Sequence, residues 1–259
     1  MLMGEATLTQ AQPNSPDGII YRTGVSWTMR LGKDLYGALT TEKKTFVNPQ
    51  PISIEMEMSP QVRMLYYPDE PKPIRGVWIS VGFLDLVNRV AHAAAISARV
   101  KKQKDYLDKY VLLLAQEDGK NELQPLPNDV NPAYWTDDVM NEQQGNFNSI
   151  VGILVGLKLA HHYLGHFDKY RDKLEDDKEL KCPINTLITP DEWEAAFRLG
   201  MRNAYDGGCL MEGATGFFQT FEKMPKRPAW AIYFLPPNVK VGHLLDVMKK
   251  SQREFLNGK

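Results

Sequence analysis

The chain has 259 residues and a formal net charge of −1, from 31 lysine and arginine residues and 32 aspartate and glutamate residues. This length is sufficient for a substantial hydrophobic core. The charges form no long run of one sign, which argues against a nucleic-acid surface or a polybasic membrane patch. No apolar run approaches the ~20 residues needed to span a bilayer. The longest, 150–160, is short and carries Lys158.

The first 18 residues are rich in Gln, Pro, Asn and Ser, and they predict a flexible amino-terminal arm. Residues 19–259 are predicted to form one domain. The arm lacks the pattern of an intact signal peptide, so we expect a soluble protein, either cytoplasmic or exported with its signal peptide removed. Two cysteines, Cys182 and Cys209, are too few for a disulfide scaffold, and the sequence leaves open whether they pair.

Three short runs predict a small antiparallel sheet. Residues 52–58 alternate between apolar and polar side chains, as in a half-buried strand. Residues 61–67 and 75–81 follow after turns that contain proline. The earlier segment 21–39 has no clear period, and we interpret it as a mixed strand or helix segment.

From Gly82 the apolar spacing becomes helical, which predicts a helix to about Gln116. The polar stretch 117–146 is predicted to be a long excursion from the domain. A central helix is expected to begin at Phe147. Further helices are predicted at 210–223 and 241–256, and a capping box, Thr189-Pro190-Asp191-Glu192, predicts the start of another.

The central helix contains the most informative motif, LKLAHHYLGHFDKY at 157–170. His162 and His166 are four residues apart, so on one helix both imidazoles point the same way. Zinc-dependent hydrolases present two metal ligands in this manner. In those enzymes the residue directly after the first ligand is a glutamate that acts as general base. Here that position is Tyr163. The pattern is short, and a histidine on an apolar stripe is commonly a core residue, so both interpretations stay open.

A zinc site needs a third protein ligand. His92 and His243 are candidates, but the helix that begins at Asp191 is the better source. His161 and Lys158 are predicted to lie on a different, solvated face of the central helix.

The chain resembles the metallopeptidase family that includes the CAAX prenyl endopeptidase and the heat-shock membrane protease, together with their soluble bacterial relatives. The motifs are short, and their order from about residue 75 to 255 carries the resemblance. The first motif is a strand and helix entry at 75–87, and the second is an active-site helix at 149–167 with HYLGH in place of HExxH. An ExEAD-like helix at 192–208 and a further helix at 210–225 follow. The last motif, at 234–248, lies where the family has a His-Pro segment and an Arg-containing helix.

This resemblance implies an α+β, mainly helical, zincin-like domain whose small antiparallel sheet packs against the active-site helix. It implies zinc ligands at His162 and His166, and a third at Glu192, the first Glu of the ExEAD-like motif. Glu194 is the alternative. Each glutamate has a competing explanation, because Glu192 belongs to a capping box and Glu194 precedes Arg198 by four residues, as in an exposed ion pair.

Three departures from the family pattern surround the implied site. Tyr163 replaces the general base and is a poor base at neutral pH, Ala196 replaces the Asp of ExEAD, and His243 stands where the family has Arg. We therefore predict a metallopeptidase-like pseudoenzyme with lost or much reduced proteolysis, and the sequence leaves open whether zinc is retained.

Two alternatives stay open. The first is an active, atypical zinc-dependent hydrolase that uses another base such as His161. The second is a metal-free helical binding or structural domain. A peptide or protein partner is compatible with all three predictions, whereas nucleic acid and a membrane span are not expected.

Overall fold

The computed structural model of the chain describes residues 23–67, 74–116, 123–173 and 183–258. These residues form a mainly helical α+β structure with one three-stranded sheet. The predicted arm at 1–18 and Cys182 lie outside the described residues. The elements are α1 (Thr23–Ala38), α2 (Thr41–Lys44), β1 (Ile52–Glu55), β2 (Val62–Tyr67), β3 (Ile74–Ser80), α3 (Val81–Arg99), α4 (Tyr106–Ala115), α5 (Asp137–Tyr163), α6 (His166–Tyr170), α7 (Pro190–Asp206), α8 (Glu212–Lys223) and α9 (Val241–Asn257).

The sheet has the order β1-β3-β2, and only the β2–β3 pair is antiparallel. The prediction of three strands was right, but the prediction of a purely antiparallel sheet was wrong. The chain reverses direction before β2 and again before β3, so β1 and β3 run the same way. Because β3 lies between the other two strands, it pairs with both, in parallel with β1 and antiparallel with β2. Hydrophobic alternation identifies strands but does not specify which strand lies in the centre.

Two helix boundaries differ from the prediction. Residues 23–38 form α1 rather than a mixed segment, and the single helix expected from Gly82 to Gln116 is two helices, α3 and α4. The break lies at Val100, where the backbone is extended (φ −98°, ψ 102°). A β-branched residue tolerates this conformation well, and the chain turns before α4.

The predicted polar excursion is shorter than expected. Helix α5 begins at Asp137, ten residues before the expected Phe147, and the described part of the excursion, from 123 to 136, buries Leu126 and Tyr134. The early turns of α5 are amphipathic, with Val139 buried among polar residues. Acidic residues in the first turn of a helix interact favourably with its dipole, and α5 has two there.

The second half of α5 forms the centre of the core. Every residue from 149 to 162 is buried, and this segment packs against α3, α7, α8 and the sheet. The predicted helix start at Thr189 is confirmed, with the complete capping box between Thr189 and Glu192. Among the described helices, none is long and apolar enough to cross a membrane.

Candidate functional site

The candidate site lies at the carboxyl end of α5, where α7 approaches closely. A Cβ atom on Gly156 of α5 would lie 2.6 Å from the carbonyl oxygen of Gly200, and one on Gly200 of α7 would lie 2.4 Å from the backbone nitrogen of Leu157. Only glycine permits this approach of two backbones. The contact fixes α7, and with it Glu192, relative to the histidines of α5.

Helix α5 ends just before His166. Gly165 has φ +72°, a left-handed conformation that favours glycine, and α6 begins after it. The predicted continuous helix through His162 and His166 is therefore wrong, because the two histidines lie on opposite sides of a helix break. A sequence pattern of i and i+4 gives a common direction only while the helix continues.

His162 is fully buried and donates a hydrogen bond from Nε2 to the carbonyl oxygen of Gly76 in β3, over 2.7 Å. Because a carbonyl oxygen only accepts, the proton of this imidazole lies on Nε2. Burial lowers the pKa of His162 to about 4, although the bond to Gly76 acts in the opposite direction. His162 is thus a neutral imidazole that attaches α5 to the sheet.

His166 pairs with His161. Their Nδ1 atoms are 2.9 Å apart, so one donates and the other accepts. His161 is fully buried, and burial, followed by the charge of Lys158, holds its pKa well below the ordinary value. Burial also lowers the pKa of His166. The prediction of a solvated face for His161 was wrong, because α5 is enclosed on every side at this depth.

Lys158 lies in the same buried cluster and was also predicted to be solvated. Its side chain is 1 % exposed. Within the described parts of the chain, no hydrogen bond or ion pair reaches its ammonium group. Burial alone lowers the pKa of Lys158 to about 7. The burial of Lys158 could have been predicted from its position inside an apolar run, one helical turn before His162.

The two glutamates proposed as zinc ligands have other partners. Glu192 completes the capping box with Thr189 and accepts hydrogen bonds from Lys169 Nζ (2.6 Å) and Tyr170 Oη (2.7 Å). Partial burial raises the pKa of this carboxyl, but the bonds from Lys169, Thr189 and Tyr170 outweigh it and lower the pKa to about 2. Both of its oxygens are therefore occupied.

Glu194 contacts a different set of side chains. It bonds His243 Nε2 at 2.8 Å and Arg198 Nε at 3.0 Å. The bond to His243, with that to Arg198, lowers the pKa of Glu194. The structure therefore joins Glu194 and His243 to each other, in a place separate from the histidine cluster of α5.

Tyr163 is half-buried at the last position of α5, and its hydroxyl has no partner among the described residues. Burial raises the pKa of this phenol above its ordinary value. Lys43 lies over the ring, 5.0 Å from its centre. A phenol with a raised pKa is not a base at neutral pH.

These donors do not fit a zinc ion as they are arranged. Nε2 of His162 carries a proton bonded to Gly76, and both oxygens of Glu192 are occupied. The buried nitrogens without partners, His161 Nε2 and His162 Nδ1, have no third ligand, since the described residues contain no group of three His, Cys, Asp or Glu side chains placed to hold a metal. The Lys158 ammonium in the same cluster repels a divalent cation.

No family model, no curated protein and no solved structure matches this chain.

Proposed function

We propose that the chain is a non-hydrolytic protein of the zincin type, in which a metal-free cluster of Lys158 and three histidines occupies the place of the zinc site. Such a protein acts as a binding or structural domain. The order of elements supports this proposal: a strand and helix entry in β3 and α3, then the long α5, then α7 with Glu192 at its start.

One observation carries the proposal. The hydrogen bond from His162 Nε2 to Gly76 places the proton on Nε2 and leaves only Nδ1 of this imidazole free for a metal. Loss of that bond would remove one buried hydrogen bond, whose net contribution to stability is about 0.5–1.5 kcal/mol. The imidazole would have to leave this arrangement before Nε2 could bind a metal, and the described residues place no group of three His, Cys, Asp or Glu side chains that would hold a metal at Nδ1.

The proteolytic activity of the full chain tests the proposal. We expect no cleavage of unfolded casein, with or without added zinc, and no effect of a chelator. We also expect no activity in the Tyr163→Glu variant, because a general base needs a metal-bound water to act on. Cleavage by the wild type or by Tyr163→Glu that a chelator abolishes would overturn the proposal and favour a retained zinc site at His162, His166 and Glu192.

The same assay decides the alternative of an atypical hydrolase with His161 as base. That alternative requires cleavage by the wild type and its loss in the His161→Gln variant. His161 is fully buried and bonded to His166, so we expect neither result.

A further inference from the structure

Residues 123–136 form a strap that lies on α3 and α4 before the chain enters α5. Of its side chains, only Leu126 and Tyr134 are buried. Its backbone hydrogen bonds join strap residues to each other or to the first turn of α5, and among the described residues none reaches another helix or the sheet. Segments with few buried contacts open locally at a lower free energy than the whole protein unfolds. The strap can therefore open while the core stays folded.

Side-chain donors from α3 and α4 hold the strap in place. Arg89 Nη1 of α3 donates to the carbonyl oxygens of Leu123 and Gln124, over 2.7 Å each. The phenols of Tyr106 and Tyr110 of α4 also donate to strap carbonyl oxygens, over 2.6 and 3.0 Å. Neither a guanidinium group nor a phenol changes its charge between pH 4 and 7. These bonds are therefore the same across that range.

His92 is the donor at the other end of the strap. It is fully buried on α3, and its Nε2 donates to the carbonyl oxygen of Tyr134 over 2.8 Å. The ring of Trp135 packs on the imidazole, with centres 4.5 Å apart. Burial lowers the pKa of His92 to about 4, although the bond to Tyr134 acts in the opposite direction. Of the four donors, His92 is the one whose charge can change between pH 4 and 7.

The charges around this interface do not offset the burial of His92. Charged side chains of the surrounding helices form ion pairs: Asp85 with Arg89 on α3, Glu142 of α5 with Arg99, and Lys223 of α8 with Asp108 of α4. The strap adds one carboxylate, Asp129. Burial, rather than one of these charges, determines the pKa of His92.

We propose that the strap is acid-sensitive: protonation of His92 releases residues 123–136 from α3 and α4 while the helical core stays folded. An imidazolium under the closed strap is desolvated, and opening of the strap admits water to it. Because the pKa of His92 under the closed strap lies below its ordinary value of 6.5, the open state binds more protons. The closed strap therefore loses stability as the pH falls from 6.5 to about 4. This proposal is independent of the proposed function and involves no chemical step.

Hydrogen–deuterium exchange of the full chain at pH 7 and pH 5, corrected for the intrinsic effect of pH, tests the proposal. The amides of Asn131, Tyr134 and Trp135 report on the strap, because each donates a hydrogen bond within it. We expect their protection to fall by about twenty-fold from pH 7 to pH 5, as proton linkage to His92 requires. The amides of α8 should stay more protected than the strap at both pH values. Unchanged protection of the strap, or one common exchange rate for the strap and α8, would overturn the proposal.

Variants assign the effect to His92. His92→Gln keeps a side-chain N–H for Tyr134 but takes up no proton, so the protection of the strap should change by less than about two-fold. His243→Gln is the control, because His243 is exposed on α9 and bonds Glu194, and it should keep the twenty-fold fall. An equal fall in His92→Gln would contradict the assignment. Titration of the wild-type His92 imidazole by NMR does not depend on that variant: we expect a pKa of about 4, and a pKa at its ordinary value would overturn the proposal.

Discussion

Lys158 shows how strongly burial acts on a single side chain. Its ammonium group is buried without a partner in the described structure, and its pKa falls from 10.5 in an unfolded chain to about 7. Between these two values the unfolded chain binds more protons than the folded chain does. The contribution of Lys158 to stability therefore falls as the pH falls from 10.5 to 7, and the full cost is present below pH 7.

Replacement by methionine should remove this cost. Because one pKa unit corresponds to about 1.4 kcal/mol, we expect Lys158→Met to raise the free energy of unfolding at pH 7 by about 3–5 kcal/mol. Methionine fills the same space without a charge. The gain should shrink to a small part of that value at pH 10. Urea denaturation at the two pH values measures both quantities.

Lys249→Met is the matched control for this substitution, since Lys249 is exposed on α9 and its replacement should change stability by less than about 0.5 kcal/mol. A loss of stability in Lys158→Met at pH 7 would show that the ammonium group makes favourable interactions in the folded protein. It would remove the electrostatic argument against zinc at this site.

At the scale of elements, the contact between α5 and α7 determines the geometry of the site. Gly156 and Gly200 bring the two helix backbones together, and no side chain separates them. Backbone atoms cannot yield to a new methyl group as a flexible side chain can. The approach of α7 to the histidines therefore depends on these two glycines.

Gly200→Ala should separate the helices and destabilise the protein by ~1–3 kcal/mol or more. Gly145→Ala is the control on α5, because a Cβ atom there meets nothing within 4 Å. It should stabilise the helix by about 0.5–1 kcal/mol. Thermal unfolding of the two variants checks the contrast, and equal stability changes would mean that the helices do not pack through glycine.

At the scale of the whole molecule, periodic patterns predicted the elements better than their arrangement. The start of α7 could be predicted from the sequence because a capping box involves only neighbouring residues. The central position of β3 in the sheet could not be predicted from the sequence pattern, because it depends on pairing between strands that are distant along the chain. The break at Gly165 was also missed, since a glycine inside an apolar helical pattern can continue the helix or end it.

The arrangement of the three histidines depends on tertiary contacts in the same way. The spacing of the histidines drew attention to the carboxyl end of α5, where His161, His162 and His166 are buried. It could not show that His166 would pair with His161 while His162 bonds the sheet. The helical periodicity placed Lys158 on a solvated face on the assumption that one side of the helix meets water. The second half of α5 is buried on every side, so that assumption does not hold.

We propose that the cluster of Lys158 and three histidines holds no zinc. Elemental analysis of the full chain, purified after growth with added zinc and dialysed without chelator, tests it most directly. We predict zinc well below one ion per chain, unchanged in the His162→Gln variant. One zinc ion per chain in the wild type, lost in His162→Gln, would contradict the account and restore the zinc site that the sequence motif suggests.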